Sequence, residues 1–85
     1  MSSGEDWWSF LEMTRRGGPI IGALERGEKT PEVAVNELLA EFGEVRGPEI
    51  QKIRETLERL ARHEIDLTLA SANLASYFGL SQYAP

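Results

Sequence analysis

Residues 48–78 read PEIQKIRETLERLARHEIDLTLASANLASYF, and the fold turns on how this stretch is understood. Gly47-Pro48-Glu49 is a helix start: Pro suits the first helical position, where its missing N–H would be unpaired anyway, and Glu49 faces the positive end of the helix dipole. No Gly or Pro follows until Gly79, which predicts a single long helix over 48–78, ~46 Å from end to end at the usual rise per residue. Its first half is amphipathic, with Ile50, Ile53, Leu57, Leu60 and Ala61 on one face and Lys52, Glu55, Arg59 and Arg62 opposite. From Leu67 to Pro85 there is no Asp, Glu, Lys, Arg or His. Leu67, Leu69, Ala70, Leu74, Ala75, Tyr77 and Phe78 point all round the axis, which requires burial on more than one side. Ile65-Asp-Leu-Thr-Leu69 alternates as a strand would, but helix formers flank it and no second strand is available to pair with it, so it is assigned to the helix.

Three short helices precede this one. Thr30 as N-cap, Pro31 at the first position and Glu32 beside the dipole predict a helix over 31–42, with Val35, Leu38, Leu39 and Phe42 buried. Pro19 begins a helix over 19–26 that Gly27 ends in the left-handed conformation. Ser3, Glu5 and Asp6 open a helix over 5–16, which Gly17-Gly18-Pro19 stops. Within it Trp7, Phe10, Leu11 and Thr14 share a face, and Trp8 projects to the side. The expected architecture is one all-α domain over 1–85, three short helices packed on one long C-terminal helix, with a short tail at 79–85. Its core comprises Trp7, Phe10, Leu11, Ile20, Leu24, Val35, Leu38, Leu39, Phe42, Ile50, Ile53, Leu57 and Leu60. No internal repeat or low-complexity tract is apparent.

Composition narrows the function classes. A chain of 85 residues buries only ~60% of its unfolded surface and gains from oligomerisation. With no Cys, disulfides and thiolate metal sites are excluded. No apolar run approaches the ~20 residues of a membrane span, and Met1 to Asp6 carries none of the features of a secretory signal, so a soluble, cytoplasmic protein is expected. The net charge of −5 repels nucleic-acid backbones.

No catalytic, cofactor or metal site can be assembled. His63 is the only imidazole, and its neighbour Glu64 points about 100° away on a helix. Gly18-Pro-Ile-Ile-Gly22 lacks the Gly-Lys-Ser/Thr ending of a phosphate loop. Glu64 instead continues the apolar stripe of Leu57, Leu60 and Ala61, which makes it a candidate polar group in a helix–helix seam. The expected activity is therefore non-enzymatic: an interaction or assembly module that binds itself or a protein partner. Its interface residues would be Trp8, Leu67, Leu69, Leu74, Tyr77, Phe78 and Leu80, with no cofactor and no metal. The alternative is a helix-turn-helix DNA-binding regulator over residues 30–60, dimerised by the long helix. Against it, Glu49 leads the would-be recognition helix, ahead of Gln51, Lys52 and Arg54.

Overall fold

The computed structural model describes residues 9–43 and 45–79, and every regular element among them is helical. Residues 9–12 lead into a π turn, Met13–Gly17. It runs straight into α1, Gly18–Glu25. Three more helices follow: α2, Pro31–Phe42; α3, Gly47–Ala61; and α4, Leu67–Tyr77. The all-α class and the bounds of α2 agree with expectation. Trp7, Trp8 and Leu80 lie outside the described residues.

Gly17-Gly18-Pro19 does not stop the first helix. Pro19 has no N–H to return to the Arg15 carbonyl, and the chain absorbs the missing bond by widening the turn before it rather than by ending. The extra residue in that turn rotates the helix, so Met13 and Gly17 face inward and Leu11 stays 38% exposed. Gly17 is required there by close packing. A Cβ at this position would lie 2.7 Å from Met13 Sδ and 3.3 Å from both Leu38 Cδ2 and Phe42 Cε2. The turn also carries a polar clamp. Arg15 Nη2 donates to both carboxylate oxygens of buried Glu12 at 2.7 Å, holding that acid below the ordinary carboxylate range.

The stretch 48–78 is not one helix. At its middle Ala61 is the last residue of α3, and Leu67 the first of α4. His63 adopts the left-handed conformation at φ 61°. Glu64 N–H donates to the Arg59 carbonyl at 2.9 Å and His63 N–H to that of Leu60 at 3.0 Å, the bond pair of a Schellman stop. Asp66 then starts α4 by accepting the Leu69 N–H at 2.7 Å. Folding back lets Ala70, Leu74, Ala75 and Phe78 reach the core, which a straight helix would carry away from it.

The break exposes a relation that the sequence conceals. Residues 24–36 match residues 60–72, each with the one 36 positions later, in helical state and in burial alike. Leu24, Arg26, Glu28, Ala34, Leu38, Phe42 and Gly43 recur as Leu60, Arg62, Glu64, Ala70, Leu74, Phe78 and Gly79. The α1–α2 turn has the same stop, with Gly27 at φ 79°, Gly27 N–H bonded to the Leu24 carbonyl and Glu28 N–H to that of Ala23. Thr30 accepts from Val33 N–H as Asp66 does from Leu69. Both turns carry an Arg–Glu pair, Arg26 to Glu28 at 2.8 Å and Arg62 to Glu64 at 2.6 Å. The protein is thus two helical hairpins with an internal repeat, contrary to the expectation of none. Each packs on the other as an approximate two-fold requires, α1 on α4 as α2 on α3. The equivalent residues Phe42 and Phe78 meet each other, ring centroids 5.3 Å apart. Leu24, Leu38, Ile53, Leu57, Leu60 and Leu74 fill the space between the hairpins.

Candidate functional site

The two hairpins differ in the seam between their helices. In the second, α3 contributes Lys52, Glu55, Thr56 and Arg59, α4 contributes Leu69, Asn73 and Tyr77, and Ile65 closes the turn end of a groove of about 160 Å³. The helices run antiparallel, so Lys52 lies opposite Tyr77 and Thr56 opposite Asn73. Lys52 Nζ is 6.0 Å from the Tyr77 ring centroid, at the outer limit of a cation–π contact. Its one ion pair among the described residues is with Glu49 of its own helix, at 3.6 Å. Thr56 Oγ1 donates to the Lys52 carbonyl at 2.9 Å, one turn back. Arg59 is exposed and takes part in none of the ion pairs found among the described residues. Leu69 is 48% exposed, the most open large apolar side chain described.

In the first hairpin the corresponding seam is bridged. Arg16 takes the place of Lys52 and Glu41 that of Tyr77. Arg16 Nε donates to Glu41 Oε2 at 3.0 Å, and its Nη2 to the Glu41 carbonyl at 2.7 Å. Its guanidinium also lies 4.6 Å from the Phe42 ring centroid. Lys29 of the turn and Glu37 of α2, equivalent to Ile65 and Asn73, form a second ion pair. Half-buried Ile20 stands where the second hairpin has Thr56. The second seam is therefore the first with its two carboxylates replaced by Asn73 and Tyr77, and its aliphatic filler shortened to Thr56.

The expected interface residues are scattered by the break at 62–66. Leu69 and Tyr77 line the groove. Leu67 is half-buried against the core, and Leu74 and Phe78 are core residues that offer no surface to a partner. Glu64 sits in no seam, because the turn that replaces the expected continuous helix places it in solvent, its side chain 50% exposed and paired with Arg62. The Arg62 guanidinium holds its carboxyl below the ordinary range. His63 is exposed. No three His, Cys, Asp or Glu side chains among the described residues converge as a metal site would require, and no helix of the described residues is long and apolar enough to cross a membrane.

Lys52, Thr56, Arg59 and Asn73 escaped the sequence reading. The α3 positions fall on the polar side of an amphipathic helix, and their spacing of four and three was a signal that they share a stripe. Only the return of α4 turns that stripe into one wall of a groove. No protein-family model, no curated protein and no solved structure matches the chain.

Proposed function

We propose that this protein is a non-enzymatic helical interaction module, and that the groove between α3 and α4 docks an acidic, partly aliphatic segment of a protein partner. One observation carries the proposal: the positions that hold ion-paired carboxylates in the first hairpin hold Asn73 and Tyr77 in the second, beside Lys52 and Arg59. A partner carboxylate near Tyr77 supplies to Lys52 what Glu41 supplies to Arg16. Leu69 and Ile65 provide the apolar contact, and Asn73 offers an amide donor and acceptor. Glu55 on the same rim repels a misplaced acid, so the groove selects the position of the negative charge and not merely its presence.

The helix-turn-helix alternative gains less from the structure. Of the basic residues near the start of its would-be recognition helix, Arg54 is paired with Glu32 at 3.4 Å, and Glu49 leads that helix. The two functions separate in one amide chemical-shift titration with three probes: an amphipathic Glu/Leu helical peptide, the same peptide with Lys for Glu, and duplex DNA. Groove docking predicts shifts at Lys52, Arg59, Leu69, Asn73 and Tyr77 with the acidic peptide alone, abolished by Lys52→Glu with Arg59→Glu. Equal response to the basic peptide, or no response, contradicts it. DNA binding with a steep salt dependence would favour the regulator.

A further inference from the structure

We infer that the turn Arg62–Asp66 is a hinge through which α4 exchanges between two copies of this chain, so that a second copy is a partner of the core surface that α4 covers. The comparison of the two turns supports this directly. Both have the same geometry, yet only the first is locked into it. Gly27 adopts φ 79° without a Cβ to clash. Pro31, which opens α2, cannot serve in a helix continued from α1, because it has no N–H for the Gly27 carbonyl and its ring would strike that carbonyl. In the second turn the left-handed position is held by His63, at φ 61°, where an L side chain is strained. The position equivalent to Pro31 is Leu67, a good helix former. Nothing from Glu49 to Phe78 is Gly or Pro. Straightening relaxes His63 and replaces the turn's bonds with regular helical ones. What it gives up, the Asp66–Leu69 cap and the Arg62–Glu64 pair, is exposed to solvent.

An opened chain cannot remain alone. Ala70, Leu74, Ala75 and Phe78 leave the core together, uncovering both their own face and the surface of α1 and α3 on which they packed. A second opened copy presents the same two surfaces, and exchanging α4 restores its core contacts between chains instead of within one. The two forms then differ chiefly in the hinge and in the entropy of association. This inference does not depend on the groove proposal: an exchanged α4 rebuilds the same core whether or not the groove binds anything.

The test is the oligomeric state after refolding at low and at millimolar concentration, measured by light scattering behind size exclusion, where the monomer is 9.5 kDa. The parent chain is expected to yield a dimer that increases with refolding concentration. The dimer-to-monomer ratio should rise in the order His63→Gly, parent, His63→Ala, because Gly favours the turn and Ala the helix. The two extremes should differ by at least about tenfold, since both copies carry the change. Leu67→Pro, which reproduces Pro31, should leave the circular dichroism intact and abolish the dimer. If that variant fails to fold, the His63 series decides by itself. A parent chain that stays monomeric under all conditions, a dimer indifferent to His63, or a dimer that survives in folded Leu67→Pro overturns the inference.

Discussion

The α1–α2 and α3–α4 hairpins share a backbone plan but not the chemistry that enforces it. The first is fastened at several points: Gly27 and Pro31 dictate its turn, Arg16–Glu41 bridges its seam, and Lys29–Glu37 ties the turn to α2. The second reaches the same shape with His63, Leu67, Asn73 and Tyr77 in those places. Its shape comes from burial of α4 more than from local preference, and its seam is left open. A fold built twice can thus fasten one copy by its own side chains and leave the seam of the other unbridged.

The sharpest way to break the comparison is at the core. Leu38 and Leu74 are equivalent and fully buried. Truncation of either to Ala should cost about 2–5 kcal/mol in urea unfolding, with both loss of transfer energy and a residual cavity contributing. A small cost at Leu74 with a large one at Leu38 would mean that α4 does not pack as the repeat requires. Gly17→Ala should be next, at about 1–3 kcal/mol, because Met13, Leu38 and Phe42 must all yield to the added methyl. Its counterpart position holds Ile53, fully buried, so tolerance of a side chain at Gly17 would mean that Met13, Leu38 and Phe42 yield easily to it. The caps come third. Thr30→Ala and Asp66→Ala should each cost about 1 kcal/mol in the same melts.

The smallest effect is that of pH. Glu12, Glu28 and Glu64 are all held below the ordinary carboxylate value of 4.5, through hydrogen bonds from Arg15, Arg26 and Arg62 respectively. A depressed folded value means that their contribution is present in full above the ordinary range and is lost as pH falls through the lowered one. The turn pairs are exposed and screened, so most of the loss below pH 4.5 should vanish in Glu12→Gln and persist in Glu28→Gln and Glu64→Gln. Thermal melts from pH 6 downward would show this, and the opposite ranking would place the acid sensitivity in the turns.

What was legible in the sequence follows the same division. The first hairpin advertises its turn with Gly27, Thr30 and Pro31, and α2 begins where those residues indicate. The second turn carries no Gly or Pro, and Asp66 alone marks the start of α4, inside a stretch whose every residue a helix accepts. Reading it as continuous was consistent with local preference and failed because tertiary burial of Leu74 and Phe78 outweighs the strain at His63. The repeat stayed hidden for the same reason, since Gly27 against His63 and Pro31 against Leu67 differ where a turn is usually recognised. Of the groove, Leu69 and Tyr77 were visible as apolar residues lacking a place in one small core. Lys52, Thr56, Arg59 and Asn73 were not, because a groove between two helices cannot be inferred from a stretch taken as one.

Everything proposed for the second hairpin depends on α4 folding back along α3. The chain has no native Cys, so spin labels attached at Gln51→Cys and Ser76→Cys are unique, and both positions are exposed. Electron–electron dipolar spectroscopy on the monomeric fraction should give a separation set by two neighbouring helices with axes about 8–10 Å apart, plus the label arms. A separation centred near ~37 Å, the length of the intervening residues in one unbroken helix, would contradict the account.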